Sequence, residues 1–156
     1  MIAQRDYHDK KEEVTWETSN IRSFLNQEFY QQFNEDEKNQ ILSVVTSNLN
    51  NHWYKTSAGN QTIDKIFLLS LEEVAKHYFK DSSQLLDFPK TNQRYWFDRK
   101  DINNIKRRSK YMDQAWWWWT RTPGKNQKTA VYIHGDGNIG IQGNGVSKTT
   151  FNTVTH

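Results

Sequence analysis

Residues 115–124 read Ala115-Trp116-Trp117-Trp118-Trp119-Thr120-Arg121-Thr122-Pro123-Gly124, and residues 130–141 read Ala130-Val131-Tyr132-Ile133-His134-Gly135-Asp136-Gly137-Asn138-Ile139-Gly140-Ile141. The aromatic run over Ala115–Thr120 predicts a strand, closed by the Pro123-Gly124 turn. Its period of two sends Trp116 and Trp118 to one face and Trp117 and Trp119 to the other. The apolar runs Ala130 to Ile133 and Ile139 to Ile141 flank an Asp136-Gly137 step, which readily adopts positive φ in a hairpin turn. Five of the seven glycines fall between Gly135 and Gly145. The C-terminal part of the chain is therefore expected to pair antiparallel.

Upstream the period changes. Thr18 or Ser19 can cap a helix with Ile21, Phe24, Leu25, Phe29 and Phe33 at three-to-four spacing, and Asn34 with Glu37 predicts a second helix start ahead of Ile41 and Leu42. Val44-Val45-Thr46 predicts a short strand running into a long loop, rich in Asn, Ser and Gly, that carries Trp53 and Tyr54. Lys65-Ile66-Phe67-Leu68-Leu69 predicts a strand buried on both faces, and Ser70-Leu71-Glu72-Glu73 a capping box for a helix with Leu71, Val74, Ala75 and Tyr78 inward. From Lys80 to Tyr111 periodicity disappears, which predicts a long loop. Helices, a strand, a helix and then strands define an α+β fold, with helices packed on a small, mainly antiparallel sheet.

At roughly 100–200 residues per domain, the 156 residues form one domain spanning 1–156. Seven Trp, seven Tyr and eight Phe supply buried area that offsets a hydrophobic content of only 35%. The absence of cysteine excludes thiol nucleophiles, cysteine zinc sites, iron-sulfur clusters and disulfides. The longest apolar run, Ala115 to Trp119, is far shorter than the roughly 20 residues that cross a bilayer. The first 30 residues carry no export signal, so a soluble, cytoplasmic protein with no membrane contact is expected.

The motifs Thr15-Trp16-Glu17-Thr18-Ser19-Asn20-Ile21-Arg22, Asp64 to Ser70, Trp118-Trp119-Thr120-Arg121-Thr122-Pro123-Gly124 and the Val131 to Val146 hairpin occur here in one order. In that order and spacing the chain resembles a bacterial family, domain of unknown function 6273. The resemblance implies a C-type-lectin-like or formylglycine-generating-enzyme-like fold and carries no function. Oxidation by formylglycine-generating relatives uses cysteines, which this chain lacks. Family members carry strand-forming segments before the part matching Ile2 and after the part matching Val146. Neither is recognisable here, which predicts an exposed sheet edge open to a partner strand or a second copy of the chain.

Charge is segregated along the sequence. Residues 1–89 hold nine basic and fourteen acidic side chains, whereas residues 90–128 hold eleven basic and three acidic ones. The basic block interleaves Arg94, Arg99, Lys106, Arg107, Arg108 and Lys110 with Trp96 and Tyr111, a mixture suited to phosphates, bases or an acidic protein. An ordinary solvated loop has the same composition. The expected function is a non-catalytic binding module that recognises a protein or nucleoprotein complex, with nucleic acid as the alternative partner. Arg94, Arg99, Lys106, Arg107, Arg108 and Lys110 would supply charge, and Trp53, Tyr54, Trp96 and Tyr111 apolar anchors. Trp16, Trp118, Trp119 and Arg121 are expected to be structural, Arg121 holding loop carbonyls or a carboxylate such as Asp64.

Two narrower readings stand beside this one: a phage-type inhibitor that blocks a host nuclease or nucleoprotein complex, and a sugar-binding module using an exposed Trp117 or Trp119. His52, His77 and His134 lie in unlike contexts without triad or zinc spacing. Asp136-Gly137-Asn138 lacks the ligand pattern of a calcium loop. No catalytic residue, metal or cofactor is expected.

Overall fold

The computed structural model describes residues 5–78, 86, 94–95 and 102–147. It is an α+β arrangement of short helices around small antiparallel sheets, as the segregated pattern predicts. Ser19 accepts from the Arg22 N–H and caps α1 (Asn20–Phe24), which buries Ile21 and Phe24. The helix then widens into a π turn over Leu25–Phe29 and tightens into a 3-10 turn over Tyr30–Gln32. Asn26 gives the physical reason, because its side-chain amide donates to the Arg22 carbonyl and competes with the regular ladder.

The same Asn26 explains a correction. Lys65–Leu69 is not a strand, since β2 covers only Thr62–Asp64. Asn26 accepts from the Lys65 and Ile66 N–H groups and donates to the Ile66 carbonyl, so a side chain takes the bonds that a neighbouring strand would have supplied. Arg121 completes the substitution, its guanidinium on the Leu68 carbonyl and its backbone N–H on that of Leu69.

Both predicted capping boxes form. Asn34 and Glu37 start α2 (Glu35–Gln40), and Ser70 and Glu73 start α3 (Leu71–Glu73), which continues as a π turn over Val74–Tyr78. β1 (Val44–Thr46) pairs antiparallel with β2 as an isolated two-stranded ribbon, Val45 directly opposite Ile63.

The tryptophan run is divided. Its first part enters a second ribbon, β3 (Ser109–Tyr111) with β4 (Gln114–Trp116), joined by Met112 and Asp113 at φ of 52° and 64°. Its second part opens β5 (Trp118–Pro123), which pairs with β6 (Thr129–Ile133), and β6 pairs with β7 (Ile139–Gly145). Part of the expected long loop is thus ordered, because a 3-10 helix over Ile102–Arg107 leads directly into β3. Thr120 and Thr122 hydroxyls serve the irregular stretch of β5: Thr120 donates to the Val131 carbonyl, and Thr122 accepts from the Leu71 N–H. In β7 the matching irregularity turns on Gly143, at φ 86°, where an added Cβ would lie 2.8 Å from the Ala130 carbonyl oxygen.

Alternation along β6 separates two cores. Ala130 and Tyr132 pack with Tyr7, Trp16, Leu25 and Trp119 on one face, whereas Val131 and Ile133 pack with Leu71, Val74, Ile139 and Ile141 on the other. Val131, Ile133, Ile139 and Ile141 have no exposed surface, and each such side chain contributes roughly 1.5–3 kcal/mol. Trp53 is a second correction: it is only 9% exposed and belongs to this second core, with Tyr54 half-buried beside it. Asn51 holds that loop in place, accepting from the Trp53 and Tyr54 N–H groups and donating to the Pro123 and Ile141 carbonyls.

Candidate functional site

The β3–β4 ribbon stands against the first half of the sheet and leaves a cleft of about 310 Å³ between them. Register puts Ser109 opposite Trp116 and Tyr111 opposite Gln114, so Ser109, Tyr111 and Trp116 share one face of the ribbon. The Tyr111 and Trp116 rings meet diagonally at 5.8 Å. These residues line the cleft together with Trp117, Trp118 and Trp119, and Ile21 and Leu68 close its far side. The walls are therefore nearly all ring and aliphatic surface.

The indoles have distinct duties. Trp119, 6% exposed, donates to the Arg5 carbonyl and packs in the first core, where Trp117 stands edge-on to it at 4.7 Å. Trp118 leans toward the second core and donates to the Arg107 carbonyl. Trp116 differs, because its buried indole N–H has no acceptor among the described residues.

The expected basic surface is only partly assembled. Arg107, expected to face outward, is fully buried. Its guanidinium donates to the Gly137 carbonyl and to Asn104 Oδ1, tying the β6–β7 turn to the 3-10 helix. Gly137 permits that approach: its φ is 89°, and a Cβ there would collide with the Asn104 carbonyl. Lys106, Arg108 and Lys110 are exposed. Alternation puts the Lys110 side chain on the ribbon face opposite Tyr111, and Arg108, one residue before β3, lies two positions from it and reaches the Asp136 carbonyl. Lys110 nevertheless borders the cleft together with Tyr111 and Trp116, so the ribbon brings charge to its edge.

Arg94 is exposed and stands 5.4 Å from the Tyr95 ring, at a second cavity of about 320 Å³ bordered by Tyr132, His134 and Asn144. Trp117 lines both cavities. Burial pushes the Tyr132 phenol up, and the Tyr95 hydroxyl 3.5 Å away adds to the shift, so Tyr132 stays neutral at all ordinary pH. Trp96 and Arg99 lie outside the described residues. Trp53 and Tyr54 pack against the opposite face of the sheet from Ile21 and are not brought to the cleft.

Arg121 holds loop carbonyls as expected, those of Leu68 and Ser47, with Asn48 Oδ1 as a further acceptor. Its carboxylate is Glu73 and not Asp64. Asp64 instead receives Arg22, Trp16 and Thr62 at 2.6, 3.1 and 2.6 Å. Burial raises the Asp64 carboxyl, but these three donors outweigh it and hold the group below its ordinary value. For Glu72 the balance is reversed: burial pushes its carboxyl up against the pull of His52, 3.2 Å away. Among the described residues no three His, Asp or Glu side chains converge to hold a metal ion, and no helix is long and apolar enough to cross a membrane.

Fold and site together define a small α+β domain with a tryptophan-lined cleft. The family described as Domain of unknown function (DUF6273) matches residues 1–150, and the chain belongs to it. No curated protein and no solved structure matches the chain.

Proposed function

We propose that this chain is a non-catalytic binding module on a C-type-lectin-like scaffold, taking an aromatic or aliphatic anchor of an acidic protein partner into the tryptophan cleft. The single observation that supports this most is the apolar cleft lined by Trp116, Trp117, Trp118, Trp119 and Tyr111. A side chain with a large apolar surface would fill it. A sugar ring fits less well, because its many hydroxyls need polar partners that these walls do not offer. Lys110 lines the cleft, and the exposed Lys106 and Arg108 lie just ahead of β3. They would favour an acidic partner and speed encounter.

The test is affinity capture from the native host with the wild-type chain, Trp117→Ser and Lys110→Glu. A protein held by wild type and lost from both variants, while the variants melt as cooperatively as wild type, supports the proposal. Equal capture by all three sinks it. So does retention of nucleic acid alone, with affinity falling steeply against the logarithm of salt concentration, which would establish phosphate contacts instead.

A further inference from the structure

The cavity of about 320 Å³ beside β7 differs in kind from the tryptophan cleft. Arg94, Tyr95, Tyr132, His134 and Asn144 bring a guanidinium, two phenols, an imidazole and an amide to it, and Trp117 adds an indole wall. Its size falls at the lower end of the roughly 300–1,000 Å³ of small-molecule sites.

Sheet bonds hold this arrangement together. The Arg94 carbonyl accepts from the Gln142 N–H at 3.2 Å, and Tyr95 forms an antiparallel bridge with Gly140, so these two residues run along β7 as a short added strand. A Cβ on Gly140 would lie 2.3 Å from the Tyr132 ring, so the bare glycine lets that ring rest against β7. Trp117 stands edge-on to Tyr132 at 5.9 Å, and His134 edge-on to Tyr95 at 5.7 Å. The walls are thus rings braced against rings.

The charge at the cavity is positive. Arg94 is exposed, its guanidinium lies beside the Tyr132 phenol and 5.4 Å from the Tyr95 ring, and no carboxylate among the described residues pairs with it. Asp136 does not border the cavity: its carboxylate faces His134 Nδ1 at 3.2 Å and accepts from the Asn138 N–H. The Tyr95 and Tyr132 hydroxyls are 3.5 Å apart, beyond the roughly 2.5–3.0 Å of a good O–H···O bond, and so satisfy each other poorly.

We infer that this cavity binds a small aromatic carboxylate, its two oxygens on the Arg94 guanidinium and a phenol hydroxyl and its ring against Trp117. The planar fork of a guanidinium matches a planar carboxylate, and one unpaired cation suits one negative charge, whereas a phosphate dianion calls for more. The site is separate from the anchor proposed for the tryptophan cleft, with which it shares only Trp117.

Benzoate, phenyl phosphate, benzyl alcohol and acetate, each titrated into the ¹⁵N-labelled full chain, test it. Benzoate should shift the amides of Tyr95, His134 and Gly135 and bind at least about ten-fold tighter than benzyl alcohol, which lacks the charge, or acetate, which lacks the ring. Arg94→Gln, at an exposed position, should weaken benzoate by about ten-fold while the variant melts as cooperatively as wild type, and Arg94→Lys, which keeps the charge without the fork, should weaken it less. Lys65→Gln removes the same charge beside Tyr30 and should leave benzoate binding unchanged. Equal binding of benzyl alcohol, phenyl phosphate bound more tightly than benzoate, indifference to Arg94→Gln, an equal loss in Lys65→Gln, or shifts confined to Ser109–Tyr111 would each overturn the proposal.

Discussion

Arg107 shows how one residue can look functional in sequence and be structural in space. It sits in a Lys-Arg-Arg triplet, yet its guanidinium is buried on the Gly137 carbonyl and Asn104, while its neighbours Lys106 and Arg108 are exposed. Arg107→Met would strand those two partners, each a loss of about 1–3 kcal/mol, whereas Arg108→Gln should fall within about 0.5 kcal/mol of wild type in urea denaturation. Asp64 is the acidic counterpart. Its carboxyl is held below the ordinary value, so its stabilisation is complete above the usual carboxylate range and is lost as pH falls through the lowered value. Asp64→Asn should therefore cost about 1.5–3 kcal/mol at neutral pH, the range for hydrogen bonds to a charged group. The gap between the two stability curves should close in acid, and a gap independent of pH would refute the assignment.

At the scale of elements, what the sequence shows depends on whether the determining bonds are local. Capping boxes were legible, because Ser70 and Glu73 close their own reciprocal bonds three residues apart. The Asp136-Gly137 turn was legible for the same reason. Lys65–Leu69 was misread because apolar content cannot reveal that Asn26, some 40 positions away, satisfies its backbone. Asn26→Ala should leave two N–H groups and a carbonyl unpaired, costing about 1 kcal/mol for each bond. Amide hydrogen exchange should then quicken at Lys65 and Ile66 while β6 stays protected. The β3–β4 hairpin was missed because Met112-Asp113 makes its turn at positive φ without the usual Asn or Gly.

For the molecule as a whole, part of the basic block is brought to the tryptophan cleft, where Lys110 lines the wall beside Tyr111 and Trp116. Lys106 and Arg108 are exposed just ahead of β3, whereas Arg107 between them turns inward. The α+β class, the final hairpin and the helix caps followed from the sequence alone, since period and capping chemistry act over a few residues. Only the tertiary structure decided that Arg107 and Trp53 turn inward, that Asn26 replaces a strand, and that Tyr111 meets Trp116 across a cleft. Those outcomes rest on contacts between distant segments competing for the same backbone groups and buried volume, which local spacing does not encode.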